Sequence, residues 1–267
     1  MTEAQGHLTP VVTPHGHLVL RPSGEAEELA DAVAERLAKG FERGTGHGLL
    51  QLGAGEVGTS LPAEWSYWRT FGAWYVGALC AHTGAEGTAG AEIARPPDEE
   101  LSTLVRSVPP MIGAEYLTTD VLGTLWTEIG SAFAEEIKEA GLPVQDFLKQ
   151  LNPAWNLVGR VHFNLAENRK SEDEPFAFLA TYTPRLSAQG KAQHLPLGQA
   201  LREYAGASNK ERLLSLLLPV QRAAETCGWL REMVDAGEIY HPLRWTAEDA
   251  VRFLRDVPSV EQAGVIV

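Results

Sequence analysis

The sequence predicts an α+β fold, helix-rich with a small, mainly antiparallel sheet. Three observations carry that expectation. Apolar residues recur at helical spacing through most of residues 1–150. From Val161 to Tyr182 the period changes to two, which is the period of a strand. Between the two regions stands Asn152-Pro153, a natural boundary because the residue before a proline is pushed out of the helical region. The expected organisation is an acidic, helix-rich part with an N-terminal hairpin over 1–150, then a β-hairpin plus helices over 151–267. A length of 267 residues suits one large domain or two intimately packed subdomains.

Each element has a local reason. Val11-Val12 and Leu18-Val19-Leu20 flank a His/Gly turn and read as a short hairpin. Leu29, Val33, Leu37 and Phe41 recur every fourth residue, an amphipathic helix closing near Gly44. A brief apolar run (Leu49, Leu50, Leu52) leads into a glycine-rich turn. A second helix follows from about Pro62 to Cys80, apolar nearly all round and therefore expected to be buried. The Ala/Gly-rich stretch 84–97 reads as an exposed loop ending at Pro96-Pro97. Helices are expected at about 98–107 and 119–140, with a shorter one after Pro143. Val161, Phe163 and Leu165 alternate with His162 and Asn164, and a partner strand runs from Phe176 to Tyr182 across a charged loop. Leu195 to Ala205, Lys210 to Cys227 (kinked at Pro219) and Trp229 to Ala236 read as helices. Thr246-Ala-Glu-Asp249 is a capping-box-like start for a last helix through Leu254. The chain stops on the apolar run Val265-Ile266-Val267, as a piece truncated from a longer protein would.

Composition bounds the function. The apolar fraction of 44% and charged fraction of 21% are those of an ordinary globular protein. Cys80 and Cys227 lie in apolar helical surroundings and read as buried thiols. The opening residues lack the cationic start and apolar stretch of a secretory leader, and no apolar run approaches membrane-spanning length. The expected location is the cytoplasm, with no membrane partner. Charge is uneven: 1–150 carry 9 Lys/Arg against 21 Asp/Glu, whereas Asn152 to Arg222 hold 9 against 6. An acidic whole argues against independent, non-specific DNA binding, which needs a positive face. Only the 152–222 stretch offers one, and its candidate phosphate contacts are Arg160, Arg169, Lys170, Arg185, Lys191 and Arg202.

Motifs for chemistry are thin. Gly53-Ala-Gly55-Glu-Val-Gly58 has the spacing of a dinucleotide-binding loop. Pro62 falls where the following helix should already be running, and no ribose-binding acid follows about twenty residues on, so the glycines read as structural. Gly190-Lys191 is followed by Ala192 and lacks the earlier glycine of a phosphate loop. Asp98-Glu99-Glu100-Leu101 follows Pro-Pro and reads as an acid-rich helix start. His15 and His17 lack nearby further ligands and read as a surface turn; His162 sits on the polar side of a strand. No catalytic, cofactor-binding or metal-ligating residue is expected in this chain.

Long blocks carry a resemblance. AWNLVGRVHFNLAENRK, PFAFLATYTPRLSAQGKAQHLPLGQALREYAG, LLSLLLPVQRAAE and GEIYHPLRWTAEDAVRFLRDVP resemble the N-terminal region of bacterial Swi/Snf-type, DEAD/DEAH-box helicase-like ATPases. LLQLGAGEVGTSLP, WRTFGAWYVGALC and PPMIGAEYLTTDVLGTLW are similar to the same region. The resemblance implies that a helicase-associated domain and a two-lobed motor follow this region in the parent protein. It places ATP and magnesium in that motor alone. It implies a non-catalytic accessory module of an ATP-driven DNA translocase, positioning or regulating the motor in cis. Contact with duplex DNA through 152–222 is one route. The alternative is an interaction or autoinhibitory, DNA-mimicking module that meets a basic protein partner and no nucleic acid.

Overall fold

The computed structural model describes residues 8–22, 24, 29–86, 93–205 and 210–267, with side chains left aside at 82–86, 210–212 and 215. Ten α-helices and two small antiparallel sheets are present among them, an α+β architecture. The chain forms two compact units. The first comprises Met1–Leu79, Thr88–Trp155 and Ser187–Lys191; the second comprises Cys80–Gly87, Asn156–Leu186 and Ala192–Val267.

The first unit opens with the hairpin β1 (Leu8–Val12) and β2 (Leu18–Pro22), paired with Val11 opposite Val19. His15 and His17 are exposed in its turn. Then come α1 (Asp31–Arg43), α2 (Thr45–Gly55), α3 (Ala63–Glu86, whose last turns belong to the second unit), α4 (Asp98–Arg106), α5 (Thr119–Ala140) and α6 (Val144–Leu151). The termini of α5 show why it starts and stops there. The Thr118 hydroxyl accepts the Val121 N–H at 3.2 Å, satisfying one orphan donor. At the other end Gly141 adopts φ 63° and donates its N–H to Ile137 O, the left-handed cap that only glycine adopts without strain.

Residues 45–55 correct the sequence reading, which expected an apolar run and a glycine turn; they form α2. The glycines serve helix packing. A Cβ on Gly53 would stand 2.3 Å from the Gly72 carbonyl carbon of α3, and one on Gly72 would stand 2.4 Å from Leu49 O. The two backbones touch where any side chain would part them. Around this crossing the core is aromatic. Trp65, Trp68 and Phe71 of α3 are fully buried, and Phe71, Trp74 and Tyr75 meet Trp126 of α5 edge-on at 4.9–6.0 Å. Such pairs add about 0.5–1.5 kcal/mol each beyond burial. Of the expected loop 84–97, residues 84–86 are helical, 87–92 lie outside the described residues, and 93–97 have no regular secondary structure, with Ile93 buried and accepting the Trp126 indole N–H.

The second unit is a two-layer arrangement. Its sheet is built on β4 (Phe176–Leu186), which pairs along one edge with β3 (Val161–Glu167). The other edge is shared: β5 (Ala192–Pro196) covers one end and β6 (Leu243–Trp245) the other. The segment ending the chain adds to β3 through a parallel bridge, His162 to Ile266. Sequence reading missed β5, assigning its last residues to the next helix, and missed β6. The inward face carries Val161, Phe163, Phe178, Ala180 and Tyr182. Four helices bury their apolar residues against it: α7 (Leu197–Tyr204), α8 (Lys210–Thr226, containing Pro219), α9 (Gly228–Asp235) and α10 (Ala247–Gln262). Phe178 stacks on Trp245 at 4.3 Å and 14°, and both meet Phe253 edge-on. The expected capping box is formed, Thr246 and Asp249 exchanging both bonds, and α10 runs beyond Leu254 through Pro258.

Candidate functional site

The glycine motif is structural in its geometry. Gly53 and Gly55 lie inside α2, so their N–H groups serve the helix and cradle no pyrophosphate. Glu56, 1% exposed, follows at the C-cap and is held by Arg36 through a bidentate pair at 2.7 and 2.9 Å. Thr59 donates to the same carboxylate at 3.2 Å. Arg69 donates to the Glu56 and Thr59 carbonyl oxygens, and burial lowers its pKa while Glu56 raises it. A buried carboxylate with this many donors is a satisfied tie between α1, α2 and α3.

On the sheet of the second unit, the face opposite the core is polar. It carries His162, Asn164, Thr181, Thr183 and His194. His162 lies against the Leu157 carbonyl at 3.1 Å, its ring 4.9 Å from that of His194, and the Thr183 hydroxyl meets His194 Nδ1 at 2.9 Å. Burial, then the nearby His194 and Arg160, lower the His162 pKa against the raising effect of Leu157 O. Burial thus favours the neutral form of His162. Among the described residues no group of three or more His, Cys, Asp or Glu side chains is arranged to hold a metal ion.

The candidate phosphate contacts of the second unit do not converge. Arg160 is half-buried and donates to Gly264 O at 3.1 Å, and burial lowers its pKa. Arg169 pairs with Glu167 at 3.0 Å in the β3–β4 loop, where Lys170 also lies, flanked by the exposed Glu172 and Asp173. Arg185 is at the other end of β4, bonded to Gln193 at 2.8 Å. Lys191 is in the turn after it, and Arg202 is exposed on α7. With an extended rise near 3.4 Å per residue, the length of β4 puts Arg169 and Arg185 roughly 30 Å apart. Among the described candidates of the second unit, Arg169 and Arg185 stand at opposite ends of β4 and Arg202 on α7, so these form no single positive face.

The first unit offers a different feature, a groove of about 430 Å³ where the first turn of α2 meets α5. Gly46 brings the turn against the α5 backbone: a Cβ there would lie 2.1 Å from Glu128 O. One wall is a polar stripe of α5, Thr124, Thr127, Glu128, Ser131 and Glu135, and His47 faces it from α2. The His47 side chain is 10% exposed, with Nε2 3.4 Å from Glu135 Oε2 but in no well-aligned hydrogen bond. Burial raises the Glu128 pKa, partly offset by His17. One turn on, Arg43 pairs with Glu136 at 3.4 Å and Glu139 at 3.0 Å. Sequence reading missed this groove, because polar residues every third or fourth position on α5 look like any solvent face, and His47 sits among glycines that suggested a turn.

Comparison with known proteins adds no family: no family model, curated protein or solved structure matches the chain. Among the described residues no helix is long and apolar enough to cross a membrane. Cys80 and Cys227 are buried thiols, and burial pushes the Cys80 thiol up to about 12.

Proposed function

We propose that this chain is a non-catalytic accessory module of a Swi/Snf-type, ATP-driven DNA motor, and that it works by docking a basic protein surface, the motor itself in the first instance, on its acidic helical unit. The link to that motor rests on the sequence blocks between Leu49 and Pro258 given above. The choice of protein over DNA rests on one observation, the disposition of charge. Arg160, Arg169 and Arg185 are each engaged within the chain, and the six candidate cations occupy separate ends and layers of the second unit and the turn beyond β4. The residues of the first unit carry 10 Lys/Arg against 20 Asp/Glu, a balance of −10, while those of the second carry 12 against 15, or −3. An acidic surface repels phosphate and steers a basic partner.

The test is fluorescence anisotropy of labelled duplex and single-stranded DNA with this chain across a salt titration. The expected result is no binding in the micromolar range even at low salt. Salt-sensitive micromolar binding, weakened by reversing Arg185 and Lys191 to glutamate, would contradict the reading and return the module to the DNA-contacting class.

A further inference from the structure

We infer that the groove between the first turn of α2 and α5 receives an arginine side chain from a basic protein segment. The inference rests on the docking reading above and names the place and chemistry of the contact. The argument begins with hydroxyl protons. Thr124, Thr127 and Ser131 each donate their hydroxyl to a carbonyl one turn back, Asp120 O, Gly123 O and Thr127 O, at 3.1–3.2 Å. Their protons are committed, so toward the groove these oxygens offer only lone pairs. Glu128 and Glu135 add carboxylate oxygens to the same wall. A wall of acceptors selects a ligand made of donors.

Two groups on the groove are loosely held. The buried His47 Nε2 stands 3.4 Å from Glu135 Oε2 with no hydrogen bond of good geometry. Glu128 joins no ion pair among the described residues, although it is half-buried; burial disfavours its charged form, and the charge of His17 offsets this only in part. The chain's nearby arginine does not relieve it: Arg43 is spent on Glu136 and Glu139. The α2 N-terminus opposes a cation with about half a unit of positive charge, which two carboxylates outweigh. A guanidinium fits better than an ammonium. It carries five N–H donors in a planar fork and no acceptor, and it is more weakly hydrated, so it enters a partly enclosed groove at lower cost.

The experiment is an amide NMR titration of this chain with a Gly-Arg-Gly-Arg-Gly peptide, with a citrulline peptide as the neutral isostere and polyarginine as a longer probe. The expected result is saturable shifts confined to His47, Thr124, Thr127, Glu128, Ser131 and Glu135, absent with citrulline. Affinity should fall at least about tenfold in the Glu128→Gln/Glu135→Gln double variant. An unchanged thermal midpoint of that variant shows that the fold is kept; if it drops, Thr127→Val/Ser131→Ala, which removes acceptors and no charge, must still weaken binding. Shifts spread over exposed carboxylates generally, or undiminished in the variants, overturn the groove. If polyarginine binds the first unit while the short peptide misses the groove, only the groove assignment falls. If polyarginine does not bind at all, the docking reading falls with it.

Discussion

The two units of this chain fill their interiors by opposite means. In the first, helices approach until backbones touch, Gly53 against Gly72, and rings meet edge-on around the crossing. In the second, a sheet supplies a flat apolar face and large side chains cover it, Trp245 lying on Phe178. The first is therefore sensitive to added atoms and the second to removed ones. Their surfaces differ as well: carboxylates dominate one, and the other is nearly balanced. The unit that is most closely packed at its centre is also the one with the excess of carboxylates.

The largest effect expected is from Trp245→Ala, which empties the stack between Phe178, Phe253 and Trp229. The loss should be about 3–5 kcal/mol in denaturant unfolding, with hydrogen-exchange protection lost first in β4 and β6. Gly53→Ala comes next. Helix propensity alone would favour alanine by about 1 kcal/mol. The 2.3 Å approach to the Gly72 carbonyl carbon opposes it and should win, for a net loss of about 2 kcal/mol. A neutral or stabilised variant would mean that the helices can separate freely. Gly228→Ala is the control in the other unit. No atom lies within 4 Å of its Cβ position, and its φ lies outside the range that favours glycine. A gain of about 0.5–1 kcal/mol is expected there.

Acid should act on the second unit through His162. Its folded pKa lies below the ordinary value of 6.5, so in the window below 6.5 the unfolded chain binds a proton that the folded chain refuses. Stability is full above that window and falls as pH drops through it. His162→Gln should flatten the difference between unfolding midpoints measured at pH 7.5 and pH 5. Glu128 has the reverse sign. Its folded pKa is raised, so its charged form works against folding as pH rises past the carboxylate range. Glu128→Gln should leave the first unit slightly more stable at pH 7, by a few tenths of a kcal/mol at roughly the scale of a surface substitution. Gaining stability while losing arginine affinity would mark the residue as kept for binding.

Much of this fold could be read in the chain because its signals were local. The Leu29–Phe41 spacing, the apolar pattern over 119–140, the 161–165 alternation and the Thr246/Asp249 box each determine their element through near neighbours. α2 could not be read that way. Gly46, Gly48, Gly53 and Gly55 have turn composition, and they are helical because Gly48 lies under Phe41 and Gly53 lies on Gly72. β5 and β6 are short strands defined by pairing with β4, to which composition is blind. The candidate contacts were less legible for a related reason. Counting cations along 152–222 measures distance in sequence, and β4 carries Arg185 to the far end from Arg169. The groove joins residues some eighty positions apart, His47 and Glu128, and no window along the chain contains both.

The central claim is that partners meet the acidic helical unit and not the basic residues of the second. Hydrogen–deuterium exchange tests it most directly, following this chain alone, with duplex DNA, and with the separately prepared motor lobes of the proposed Swi/Snf-type parent. The account predicts new protection at the start of α2 and along α5 when the motor lobes are added, and none with DNA. Protection around Arg185 and Lys191 on adding DNA, with α2 and α5 unchanged by the motor, would contradict it.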